Sequence, residues 1–331
     1  MCIIFLMPNP LSQNILATIC YYDVLDYPLT VFELWKYLIS DPAYAEASAY
    51  AKASADKPAG KCETKKVILA EVVSELENEA LQKNIEKHLG FYFLAGRKSL
   101  VAQRLERNKL AEKKYRRARR AVWFLRFVPF VRSVAVVGRL AMKNVETQSD
   151  LDLLIVLKSG HIFTGRMLVT AFLQVSGMRR HGRKIANRIC LNHFLTDEFN
   201  VGVQDLFSAH EYTFARVIFK PEVFGRLYQK NNWIEKYKPN YLPEKDNLKI
   251  IKDSFISRCS RNILEKCLAF PALEKFLQKI QTEKIAKNAL TEKKGAMIIC
   301  SSDELAFWPN FENQGPRVFE LFKERMDRLR N

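Results

Sequence analysis

Asp150 and Asp152 stand one residue apart at the head of an apolar run, Ser149–Val156, SDLDLLIV. On a strand, residues i and i+2 project to the same side. The two carboxylates therefore share a face, while Leu151 and Leu153 turn into the core. Carboxylates this close repel, and both cannot stay ionised cheaply without a cation. Magnesium is the natural partner, because it takes oxygen ligands, commonly one or two carboxylates completed by substrate phosphates and water. A pair of such ions can activate an attacking oxygen and steady a leaving phosphate. Without that chemistry, Asp150 is a turn residue and Asp152 a solvent-facing one at a strand entry.

What precedes the pair gives it context. Ser133–Val137, SVAVV, has the composition of a buried strand, and Gly138 ends it twelve residues before Asp150. Arg139–Val145 then fits a short helical turn. A glycine at that bend lets backbone approach a ligand, and the N–H groups that follow face an anion. Strand, glycine, short helix, loop and a second strand place a phosphate cradle beside a metal site.

The segment VVGRLAMKNVETQSDLDLLIV resembles the signature of the polymerase-β-like nucleotidyltransferase superfamily: a hydrophobic residue and Gly-[Gly/Ser], a spacer, then Asp-hydrophobic-[Asp/Glu]-hydrophobic. The resemblance covers residues 132 to about 215. More loosely, the whole layout, including ATICYYDVLDYPLT near the start, is similar to stand-alone bacterial nucleotidyltransferase-domain proteins. It implies an α/β (α+β) fold with a small mixed sheet flanked by helices, Mg²⁺ (two ions), and a nucleoside triphosphate. The implied reaction transfers a nucleoside monophosphate to a hydroxyl and releases pyrophosphate. By position, Asp150 and Asp152 would be catalytic and hold the metals, Gly138 would sit against the triphosphate, and Ser149 would shape the loop before the pair. Two residues depart from the pattern. Arg139 replaces the usual Ser or Gly, and would either bind phosphate by charge or crowd the cradle. On the strand ICLNHFL the polar residue is Asn192, a carbonyl donor but a poor base, where many active members carry a third carboxylate. Asp197 and Glu198 fall beyond that strand's end.

The rest of the chain must position these residues. Helical spacing runs through Leu11–Tyr22, Val31–Ile39 with Thr30 as its cap, and Val67–Leu89. GFYFLAG follows as a short strand. Residues 1–96 then form a winged-helix-like helical domain with a loop insertion at 41–63, fit either for DNA contact or for packing alone. Residues 97–127 are a connecting helix. Its Arg97–Arg120 stretch holds eleven Lys/Arg against two Glu, which gives either a solvated face or a phosphate-tracking surface. On the resemblance, residues 128–215 would form the nucleotidyltransferase core, and 216–331 read as a helical C-terminal domain with one short strand near GAMIIC.

Composition bounds the alternatives. The 331 residues carry 53 Lys+Arg against 36 Asp+Glu, net +17, which favours a polyanionic partner. The seven cysteines are scattered without a CxxC, as expected of reduced thiols in a cytoplasmic protein. Cys190 and His193 lack the second pair a zinc site needs. No apolar run is long enough to span a membrane. There is no GxxxxGK[ST], GxSxG or HExxH. His210 would line a nucleotide pocket or simply start a helix, and Phe307, Trp308 and Phe311 would stack a base or pack in the core. Two functions remain: Mg²⁺-dependent nucleotidyl transfer to an unknown acceptor, and a weak or inactive relative that binds nucleic acid through the basic helix and the winged-helix part.

Overall fold

Asn9 and Pro10 start the first helix, α1 (Pro10–Val24): the Asn9 side chain accepts the Leu11 N–H, and Pro10 fills the first turn. A computed structural model describes residues 9–40, 66–198, 201–241 and 250–330. The insertion expected at 41–63 lies outside the described residues. Among the described residues no helix is long and apolar enough to cross a membrane.

After α1, the strand β1 (Leu29–Thr30) leads into α2 (Val31–Lys36), where Thr30 and Glu33 form a reciprocal capping box. Residues 67–89, predicted as one helix, are instead two short ones and a strand: α3 (Leu69–Glu75), α4 (Glu79–Gln82) and β2 (Ile85–His88). The break falls at Asn78, whose side chain caps α4. Leu89 and Gly90, both at positive φ (49° and 78°), then turn β2 into β3 (Phe91–Leu94). These strands form a three-stranded antiparallel sheet in the order β1-β3-β2.

A 27-residue helix, α5 (Ser99–Leu125), leads into the main sheet. There follow β4 (Val131–Val136), the four-residue α6 (Gly138–Ala141), β5 (Leu151–Leu157), α7 (Ile162–Val175) and β6 (Ile189–Thr196). Next come α8 (Leu206–Phe214), β7 (Arg216–Phe219), α9 (Pro221–Lys230), α10 (Ile234–Tyr237), α11 (Phe255–Leu268) and α12 (Pro271–Ala286). The hairpin β8 (Met297–Cys300) and β9 (Glu304–Trp308) precedes the last helix, α13 (Gly315–Arg330).

The mixed six-stranded sheet has the order β7-β4-β5-β6-β9-β8. Only β5 and β6 are parallel, joined by the α7 crossover; the other pairs are antiparallel. The central strands are buried on both faces, which is why they read as continuous apolar runs. The sheet does not stop at residue 215. The region expected to be helical with one strand contributes β7 on one edge and the β8–β9 hairpin on the other. Helix α5 packs beside β4 and β7, α7 against β5 and β6, α12 on α7, and α13 on α1. Glu274 of α12 accepts the Phe163 and Thr164 N–H groups, satisfying the open start of α7.

Candidate functional site

β5 begins at Leu151, so Asp150 stands at its mouth and Asp152 just inside. The neighbouring strand completes the set. Asp152 pairs with Cys190 and Leu154 with His193, leaving Leu191 and Asn192 together opposite Leu153. This bulge re-aims the strand, and Asn192 Nδ2 donates to Asp152 Oδ1 at 3.2 Å. The ligand atoms of Asp150, Asp152 and Cys190 all lie within 4.8 Å of one another. Gly138, the first residue of α6, closes the other side at φ +64°, and a Cβ there would stand 3.1 Å from Asp152 Oδ2. Glycine thus satisfies two demands: a left-handed backbone and space for a carboxylate.

Burial pushes the Asp152 carboxyl up to about 7, and the charges of Asp150 and Glu211 push the same way, against the Cys190 thiol and Arg180. Burial also raises the Cys190 thiol, so it stays protonated and donates to Asp152. Asp150 is held differently: Arg180 Nη1 lies 2.5 Å from its Oδ2 and 3.7 Å from Cys190 Sγ. Asn192 Oδ1 is buried with no hydrogen-bond partner among the described residues.

A third acid enters from a helix. Glu211 of α8 accepts the Gly138 N–H, and burial raises its carboxyl to about 7. The residues around it, SAHEYTF, gave no sign of this. Glu211 reaches the site because α8 packs beside α6, a long-range contact with no local signature.

Arg139 neither fills nor crowds the cradle. Its Nε donates to the Asn144 carbonyl at 3.0 Å and its Nη2 to Glu146 at 3.0 Å, and Arg107 of α5 meets the same Glu146 at 3.2 Å. Ser149 closes a local turn, its hydroxyl accepting the Glu146 N–H at 3.0 Å. Lys114, one of the basic residues of α5, is turned inward and buried. Its ammonium donates to the carbonyls of Thr147 (3.1 Å) and Ser149 (2.7 Å) and to Asn187 Oδ1 (3.0 Å). Lys114 thereby ties the loop before Asp150 to the segment before β6. Arg104 is likewise structural: it lies over the Tyr27 ring at 3.9 Å and pairs with Glu33.

Other candidates lie elsewhere. His210 packs in the core with Tyr21, Tyr22 and Phe214, and burial lowers its pKa. His193 turns from Cys190 to Glu304, 2.9 Å away. Phe307 lies under Arg166, and Trp308 meets His193 edge-on. Asp197 accepts the Ser159 N–H, outside the cluster.

Two of the three clustered ligand groups, the Asp150 and Asp152 carboxylates, suit a hard dication. The protonated Cys190 thiol is the one member that does not. No protein-family model matches this chain, and no curated protein or solved structure is significantly similar to it.

Proposed function

We propose that this protein is a Mg²⁺-dependent nucleotidyltransferase that moves a nucleoside monophosphate from an NTP to a hydroxyl of an acceptor and releases pyrophosphate. The observation that carries the proposal is the convergence of the Asp150, Asp152 and Cys190 ligand atoms within 4.8 Å beside a glycine turn that packs on Asp152. Asp150 and Asp152 would hold the metal, with the Asn192 amide positioning Asp152 through its Nδ2. When bound, Mg²⁺ would supply charge neutralisation at the phosphate oxygens. Glu211 supplies the third carboxylate that Asn192 lacks. With a proton affinity near neutral pH, it suits accepting the proton of an acceptor hydroxyl. It also holds the Gly138 N–H that the resemblance assigns to phosphate, so phosphate binding there requires Glu211 to release it. The test is pyrophosphate release from each NTP with Mg²⁺ and a mixture of candidate acceptors. Activity in the wild type that is lost in Asp150→Asn and Asp152→Asn supports the proposal; activity retained in both variants overturns it.

A second reading, nucleic-acid binding without transfer, draws on the outer face of α5. Lys109, Lys113, Arg116, Arg117 and Arg120 are exposed there at helical spacing. The short helices α3 and α4 are a poor match to DNA, because Glu71, Glu75, Glu77 and Glu79 make that stretch acidic. This reading requires steeply salt-dependent binding of an oligonucleotide without Mg²⁺; binding insensitive to salt removes it.

A further inference from the structure

A cation already stands on one of the two aspartates. Arg180 Nη1 lies 2.5 Å from Asp150 Oδ2, yet 44% of the Arg180 side chain is exposed against 18% for Asp150. The guanidinium reaches in from outside rather than belonging to the packed interior. It comes from the segment MRRHGRKIANR, residues 178–188, which carries five Arg/Lys and one His.

That segment is built as an arm. Its base is stitched to the strands of the site: the Arg180 N–H donates to the Ile189 carbonyl (2.8 Å), Ile189 to Met178 (2.8 Å), Asn187 to Ser149 (3.1 Å) and Leu151 to Arg188 (2.9 Å). The buried Lys114 ammonium clamps Asn187 from below. Beyond the base, His181 and Lys184 exchange backbone hydrogen bonds across a tight turn with Gly182 at φ +49°. Arg183 and Lys184 sit on this turn, exposed and with no carboxylate partner among the described residues. The arm therefore sets Arg180 on Asp150 and carries two further exposed cations, Arg183 and Lys184, on the turn that follows it.

Arg180 and a metal dication compete for the same carboxylate. With a dication on Asp150, the guanidinium loses its counter-charge and faces a like charge instead. A phosphate oxyanion is then its best partner, since guanidinium matches phosphate in charge and in fork geometry. We infer that the 178–188 arm binds the triphosphate of the substrate through Arg180, Arg183 and Lys184, and that Arg180 exchanges Asp150 for phosphate when the metal binds. This rests on the metal–nucleotide reading above.

The exchange has a signature of opposite signs. In calorimetric titrations, Arg180→Ala should bind Mg²⁺ alone several-fold more tightly than wild type, because an internal competitor is gone. The same variant should bind Mg²⁺-tripolyphosphate roughly tenfold or more weakly, because a charge-assisted contact is lost. Arg183→Ala/Lys184→Ala, at the turn and off the aspartates, should weaken tripolyphosphate and leave Mg²⁺ unchanged. Lys275→Ala/Lys279→Ala, exposed on α12, should change neither. If Arg180→Ala weakens Mg²⁺ as well, the residue is structural and the inference falls. Unchanged tripolyphosphate binding in both arm variants also overturns it. A short oligonucleotide without terminal phosphates separates the two sources of phosphate: if the arm variants lose the oligonucleotide and keep tripolyphosphate, the arm serves the acceptor and the inference is wrong. If wild type binds no Mg²⁺ at all, the metal–nucleotide reading fails and takes the arm with it; if wild type binds Mg²⁺ but the arm variants miss these outcomes, only the arm fails.

Discussion

Glu211→Gln isolates the cost of placing a third acid in this site. Burial raises the Glu211 carboxyl from an ordinary 4.5 to about 7 in the folded protein. The folded state therefore binds more protons than the unfolded chain between about pH 4.5 and 7, and stability falls as pH rises through that window. Each tenfold change in proton affinity is about 1.4 kcal/mol, so the ionised carboxylate costs at most about 3.5 kcal/mol above pH 7. Glu211 is half-buried, and solvent screening reduces the figure to about 1–2 kcal/mol. Glutamine keeps a carbonyl for the Gly138 N–H and removes the charge. Without metal, the variant should unfold at the wild-type temperature near pH 4.5 and roughly 2–6 °C higher at pH 8. The assay is thermal unfolding followed by circular dichroism in EDTA at several pH values. A shift of the same size at every pH, or a loss of stability at pH 8, would refute the electrostatic account of Glu211.

Other perturbations address the supports of the site. Gly138→Ala should cost about 1–2 kcal/mol for a left-handed alanine and also weaken Mg²⁺ binding, because the new Cβ meets Asp152 Oδ2; unfolding and metal titration together check both. Lys114→Met leaves three acceptors without their donor, so stability should drop by about 2–3 kcal/mol and Mg²⁺ affinity should fall with it. Burial alone would raise Asp253, but Arg261, Ser257 and Lys220 outweigh it and hold the carboxyl at about 2. Its stabilisation is present above about pH 3.8 and lost as pH falls through 2, so Asp253→Asn should destabilise by about 1–3 kcal/mol at pH 7 and far less at pH 2.5, measured by urea unfolding.

Some of the molecule was legible in the sequence because local chemistry dictates it. The run LDLLIVL became β5 with the expected bounds, since a strand buried on both faces has no alternative to a continuous apolar run. The Thr30 cap was readable because its partner, Glu33, is three residues away. What failed depended on distant contacts. The stretch 67–89 kept helical apolar spacing, but that spacing could not show that β1 offers β3, and through it β2, a place to pair. The strand RVIF was hidden at the end of a helical pattern and is a strand because β4 has a free edge to fill.

The candidate site divides in the same way. The two aspartates and Gly138 lie in one segment, and their types and spacing are enough to suggest chemistry. Arg180, Cys190 and Glu211 come from three other elements, and only the bulge in β6, the 178–188 turn and the docking of α8 bring them in. Arg139, which the sequence places in the cradle, is drawn off by Glu146, a pairing set by how residues 144–146 fold against α5.

The most direct test of the proposed metal–nucleotide site is thermal unfolding with each NTP, with and without Mg²⁺, for wild type and for Asp150→Asn/Asp152→Asn. A ligand at 100 times its Kd stabilises by about 2.7 kcal/mol, which should raise Tm by roughly 5–10 °C. A Mg²⁺-dependent shift with at least one NTP that disappears in the double variant is expected. No shift with any NTP, or the same shift in the double variant, would contradict the proposed site.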